Sequence, residues 1–234
     1  MRKRHLSAVA VIAGALAGLV GCETSGYTRA GWTRSDVTAT QKSSSGLQEQ
    51  LATAVHELSA LVEKPEPDLK AKFDKFSAEL TRAQSASDRL RSSAVSMQNE
   101  GEQYFAAWDA EMATIGDAEI RGKSEQRRTS ALQNFRSFAG ERDAARQTVN
   151  TLLSTLSDVR RHLTADLTPR GVSAIADVAA RARTELNDAN TRLQAITTVL
   201  SRIDSDLSPG EVTTKQAQQT KAKPSSEASV DSTK

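Results

Sequence analysis

The sequence predicts an all-α fold, an elongated antiparallel helical bundle built on a long coiled-coil-like hairpin. Three observations carry that expectation. Aromatic residues are only 4% of the chain and prolines number 5, while the helix formers Ala, Leu, Arg, Glu and Gln recur throughout. Apolar residues return at alternating spacings of four and three, the period of a helix packing along one seam. No segment alternates with the period of two that a strand requires.

The first element is a leader. Arg2, Lys3 and Arg4 form a basic start, and Leu6 to Val20 is apolar apart from Ser7. That run falls short of the ~20 residues a membrane-spanning helix needs, and its flanks suit a secretory signal peptide over residues 1–21. It ends in Leu19-Val20-Gly21-Cys22, which resembles the lipobox of bacterial lipoproteins. The resemblance implies cleavage between Gly21 and Cys22, a diacylglyceryl group on the thiol, and an acyl chain such as palmitate on the new amine. Several chains, at ~0.8 kcal/mol per buried CH₂, anchor stably where one does not. Cys22 is the sole cysteine, so an intrachain disulfide is excluded.

Cleavage also changes the charge. Of 31 Lys and Arg, three leave with the leader, and the remaining 28 face 29 Asp and Glu. A mature chain near −1, without a basic patch interleaved with aromatics, argues against nucleic-acid binding.

A linker is expected over residues 22–35, in which Tyr27 and Trp32 suit a membrane interface. The first helix is expected from Asp36, with Ser35 as its cap and a seam through Val37, Thr40, Ser44, Leu47, Leu51, Ala54, Leu58 and Leu61. Ser43-Ser44-Ser45-Gly46 lowers its propensity and leaves its continuity open. Lys64-Pro65-Glu66-Pro67 ends it, because each proline removes a donor and turns its predecessor away from α. Asp68 then caps a second helix whose seam runs from Leu69 through Phe76, Leu80, Met97 and Trp108 to Ile115. Gly116 and Gly122 bracket a turn. The third seam runs from Ala131 through Phe138, Arg142, Val149 and Leu156 to Leu167. Thr168-Pro169-Arg170-Gly171 makes the next turn, and a fourth seam runs from Val172 to Leu207. The rod domain is thus residues 36–207, and the polar stretch 208–234, without apolar period, reads as a disordered tail.

At 1.5 Å per residue the second and third helices span roughly 70 Å and the fourth roughly 50 Å. Short connections make neighbours antiparallel, giving an apex at residues 116–122 and a base holding the other turns. The first and fourth helices are expected to stop short of the apex. The many Ala, Ser and Thr seam positions imply a thin core, and one exposed seam could serve a homodimer.

With the helices laid out, the chain resembles a family of bacterial helical lipoproteins catalogued as a domain of unknown function (domain of unknown function 2959). The resemblance rests on Gly31-Trp32-Thr33-Arg34-Ser35-Asp36-Val37, on Phe105-Ala106-Ala107-Trp108-Asp109-Ala110-Glu111, on Arg121 with Ser124 and Arg127, and on Leu163-Thr164-Ala165-Asp166-Leu167. It covers roughly residues 27 to 205. The Ser43–Gly46 interruption and the long tail depart from the family's pattern. It implies a coiled-coil-like envelope lipoprotein and lends no catalytic residue.

Catalysis needs converging groups, and few are present. His5 leaves with the leader, and His56 and His162 sit in no HExxH or Glu-x-x-His spacing. No GxSxG, P-loop or dinucleotide-binding glycine pattern occurs, and the carboxylates interleave with Arg and Lys as on a solvated helix face. Neither a cofactor nor a metal is implied, and the chain reads as a non-enzyme. Arg142 on a seam position either snorkels, pairs with a facing carboxylate, or sets register. Tyr104, Phe105, Trp108 and Phe135 gather toward the apex, as bundle core or as a partner-binding tip. The expected function is a membrane-tethered rod acting as a structural or protein-interaction module. Its partners would be membrane lipid through Cys22 and an envelope protein or cell-wall component. The alternative is a membrane-active helical hairpin, although no mature segment approaches a spanning length of apolar residues. Glu23 is not the aspartate that marks inner-membrane retention in enteric bacteria, so the resemblance favours the outer membrane, facing the periplasm.

Overall fold

A computed structural model describes residues 25–65 and 68–208. Among them all regular structure is helical: α1 (Gly26–Glu63), α2 (Leu69–Met112), α3 (Ala118–Ala165), α4 (Pro169–Ser173) and α5 (Ala176–Leu207). α1 packs against α2 and α5, and α3 closes the ring by packing against the same two. The result is an antiparallel four-helix shaft with α4 as a short elbow at its base.

The heptad seams are the core. All eight seam residues named for the first helix are buried, as are Phe76, Leu80, Met97, Phe138, Leu152, Leu156, Leu163 and Leu193 from the others. Small side chains let the closest pairs approach: Thr40, Ser44 and Ala54 on α1 accompany Ala83, Ala86 and Ala94 on α2, all buried. α1 continues through Ser43–Gly46 without a break. There Ser44 is a buried small residue, and the Ser43 and Ser93 hydroxyls meet at 2.9 Å across to α2. Packing therefore outweighs the propensity lost to three serines and a glycine.

Three boundaries differ from the sequence reading. α1 starts at Gly26, not Asp36, and its cap is Ser25, whose side chain accepts from the Thr28 amide, not Ser35. Ten residues assigned to a linker are thus three further turns of helix. Buried Thr33 continues the seam one step before Val37 and donates to the Arg29 carbonyl at 3.2 Å. Cross-helix ion pairs from Arg29 and Arg34 hold this segment down. Gly122 lies inside α3, because Asp117 caps that helix by accepting from the Glu119 and Ile120 amides. The fourth helix divides at Ala174–Ile175, where the Ile175 amide bonds Val172 three residues back, burying both apolar side chains.

The base turns follow their caps. Asp68 accepts from the Ala71 amide at 3.0 Å, and Thr168 accepts from the Gly171 amide with Pro169 at the first helical position. His162 Nε2 donates to the Gly171 carbonyl at 3.0 Å, tying the end of α3 to α4. A Cβ on Gly171 would lie 2.3 Å from the Asp166 carbonyl oxygen, so this crossing is open only to glycine.

Candidate functional site

Because α1 begins early, the apex is not a bare hairpin. The first turns of α1 and the last turn of α5 lie against the end of the α2–α3 pair. They enclose a cleft of about 480 Å³ whose walls include Tyr27, Arg34, Tyr104, Trp108, Arg127 and Leu207.

α2 places Tyr104, Phe105 and Trp108 within one helical turn, and α3 brings Phe135 to them. Phe105 meets Tyr104 and Phe135 edge-to-face at 5.3 and 5.6 Å between ring centres, Tyr104 meets Trp108 at 5.6 Å, and Phe105 stacks on Trp108 at 6.3 Å. Room for the Phe135 ring is made by Gly101, since a Cβ there would fall 1.9 Å from the ring's far carbon. The structure thus brings together all four apex aromatics expected from the sequence. It also divides them: Phe105 and Phe135 are buried, while Tyr104 and Trp108 are partly exposed on the cleft wall. The latter pair is the more accessible.

Polar contacts fix the wall. Trp108 Nε1 donates to Ser124 Oγ at 2.9 Å, joining α2 to α3, and the Arg127 guanidinium stands 5.8 Å from the Trp108 ring. Arg127 also donates to the Asp206 carbonyl, and Arg128 lies over Phe105 while pairing with Asp109. Arg29 pairs with Glu111. Arg34 reaches α5 with two hydrogen bonds, Nε to Asp204 Oδ1 at 2.8 Å and its terminal nitrogen to Oδ2 at 3.3 Å. That hydrogen bond holds the Arg34 guanidinium protonated more firmly than an isolated one. Burial pushes the Tyr104 phenol above the usual tyrosine range, with Arg127 and Arg29 opposing and Glu111 assisting.

Chemically this wall can bind. Aromatic faces beside guanidinium groups hold planar or amphipathic groups, and no activated nucleophile with a base stands among them. Arg29, Arg34 and Leu207 were not singled out in sequence as part of a site. The available signal was the seam itself, which continues through Thr33 toward the N-terminus and carries both arginines with it.

Elsewhere, Arg142 donates to Gln98 Oε1 at 2.6 Å across to α2 and pairs with its neighbour Asp143, so a facing amide takes the place of a facing carboxylate. It borders a mid-shaft groove of about 290 Å³ floored by Leu90, Ala94, Ala145 and Val149. Among the described residues no group of His, Cys, Asp and Glu is placed to hold a metal ion. No described helix is long and apolar enough to cross a membrane. Gly21 and Cys22, the expected cleavage and lipidation site, lie outside the described residues, as do the leader and residues 209–234.

Over residues 20–208 the chain matches the family described as Protein of unknown function (DUF2959), and it belongs to that family. No curated protein matches it.

Proposed function

We propose that this family member is a non-enzymatic envelope lipoprotein: a helical rod tethered through acylated Cys22, facing the periplasm from the outer membrane, and engaging another envelope component. One observation carries the reading. α1 begins at Gly26, four residues after Cys22, so acyl chains on that cysteine would fasten almost directly to a rigid shaft. The family match starts at residue 20 and so takes in Gly21 and Cys22, which supports treating the lipobox-like pair as part of the shared unit. α2 and α3, at 44 and 48 residues, give the rod a length of about 65–70 Å. Such a shaft suits a spacer or interaction module better than an enclosed reaction site. Tyr104 and Trp108 are the contact residues assigned to the protein partner.

Two measurements test it. Cys22→Ala should leave an unprocessed precursor or move the protein to the aqueous phase on detergent partitioning; a correctly processed, membrane-bound variant would sink the anchor. A photo-crosslinker at Glu111, on the cleft rim, should capture one envelope component in cells, and Trp108→Ala should weaken that capture. If Leu152→Ala, deep in the shaft, weakens it equally, the cleft is not the contact.

A further inference from the structure

Four large apolar side chains stand exposed among the described residues, and three of them share one end of the rod. Tyr27 is 73% exposed, Trp32 54% and Ile120 59%; the fourth, Val95, lies mid-shaft. Tyr27 and Trp32 sit in the first turns of α1, and Ile120 in the first turn of α3. Two cross-links set their relative height: Arg29 pairs with Glu111 near the end of α2, and Trp108 bonds Ser124. Counting 1.5 Å per residue from those links, the three fall within about 10 Å along the rod axis. That is comparable to the headgroup layer of one leaflet, where Trp and Tyr rings settle because one edge is apolar and the other polar.

The chain supplies the reason for such a surface. From Cys22 to Ser25 there are three residue steps, at most about 11 Å fully extended. Taking the acylated Cys22 proposed above as given, we infer that the apex is a foot resting on the bilayer, with Tyr27, Trp32 and Ile120 seated among phospholipid headgroups. The acyl tether cannot hold this end away from the membrane. Cations and carboxylates are mixed across the foot: Arg29, Lys123 and Arg128 pair with Glu111, Glu119 and Asp109, while Arg121 and Arg127 donate to the Ile115 and Asp206 carbonyls. Its contact is therefore interfacial and aromatic, not a basic patch seeking anionic lipid. The base turns, about 57 Å away along 38-residue α1, face outward, and any protein reaching the Tyr104–Trp108 cleft must itself lie close to the membrane.

The chain has two tryptophans, so Trp108→Phe leaves Trp32 as the sole emitter. The lipidated full-length variant is reconstituted into phosphatidylcholine vesicles, after mass measurement of its N-terminal peptide. Trp32 emission should shift to the blue and be quenched by shallowly brominated lipid. A companion variant, Trp32→Phe, Trp108→Phe, Lys64→Trp, carrying its probe at the base, should show neither effect. An acylated protein whose Trp32 keeps its aqueous spectrum and resists lipid quenching loses the foot but keeps the anchor. A peptide mass without acyl chains removes both. A blue shift without lipid quenching, accompanied by a doubled mass in detergent, would assign the surface to a second copy of the chain and overturn the bilayer contact.

Discussion

The two ends of the rod are built from different materials. At the base, Leu61, Phe76, Leu80, Leu163 and Val172 close the core, and caps at Asp68 and Thr168 with the His162–Gly171 hydrogen bond finish the backbone. At the apex, the aromatic layer of Tyr104, Phe105, Trp108 and Phe135 is walled by paired arginines and opens on a cleft. None of the largest wholly buried side chains comes from the apex. An end that only has to hold the helices together packs apolar chains to completion. An end left open, with rings held at fixed angles, keeps part of its apolar surface uncovered.

The largest difference should appear on truncation. Phe76→Ala removes a wholly buried ring from the base and should cost about 3–5 kcal/mol, with a correspondingly lower melting temperature. Trp108→Ala removes a larger but only partly buried ring and should cost only about 1–3 kcal/mol. Urea denaturation of both variants measures this directly; equal losses would erase the contrast between the ends.

Glycines give the next comparison. Gly171→Ala drives a Cβ against the Asp166 carbonyl, which belongs to the backbone and cannot swing aside. Gly101→Ala meets the Phe135 ring, a side chain with an open groove beside it, and gains about 0.8–1 kcal/mol of helix propensity in mid-α2. Both fall in the ~1–3 kcal/mol range of overpacking, with Gly171→Ala at its upper end and Gly101→Ala at its lower. A Gly101→Ala variant as damaged as Gly171→Ala would mean the apex is packed as rigidly as the base.

The sequence made the base more legible than the apex, and the reason is physical. Prolines and caps are local signals, so the end of α1 at Glu63, the Asp68 cap and the turn at Thr168–Gly171 could be read without tertiary information. The four-three period likewise placed the shaft core, including Ser44 and Met97, because burial follows the seam. The start of α1 was missed because Gly26, Gly31 and the threonines around them are weak helix formers, and what holds that segment is the contact of Arg29, Thr33 and Arg34 with α2 and α5. That single miss hid the cleft. The aromatics were recognised, but which of them stay accessible depends on the α1 turns laid beside them.

A smaller effect isolates one bond within the apex. Trp108→Phe keeps most of the ring's packing and removes the Nε1 donor to Ser124, which should cost about 0.5–1.5 kcal/mol. Adding Ser124→Ala to it should cost little more, because the lost partner is the same. Additive losses in that double variant would show that the hydrogen bond contributes nothing and that packing alone seats the ring.

The smallest effect compares the ion pairs that α1 and α5 form at the two ends. Arg34–Asp204 at the apex is two-pronged, with both side chains 34% exposed. Arg183–Glu63 at the base is more open, at 49% and 59%, and Arg183 spends its Nε on Ser59 at 2.9 Å. Exposed pairs contribute about 0.2–1 kcal/mol and fade as salt screens them. Double-mutant cycles with Arg34→Ala and Asp204→Ala, and with Arg183→Ala and Glu63→Ala, should therefore give a coupling near the top of that range at the apex and near its bottom at the base. The apex coupling should also survive salt better, since a geometry with two bonds and less water around it is screened less. The order matters more than the size. α1 before Asp36 has poor intrinsic propensity and needs its tertiary contacts, whereas the base is held by caps and leucines whether or not Arg183 finds Glu63. A base coupling equal to or larger than the apex coupling would mean that Arg34 is incidental, and that buried Thr33 alone keeps the first turns of α1 on the bundle.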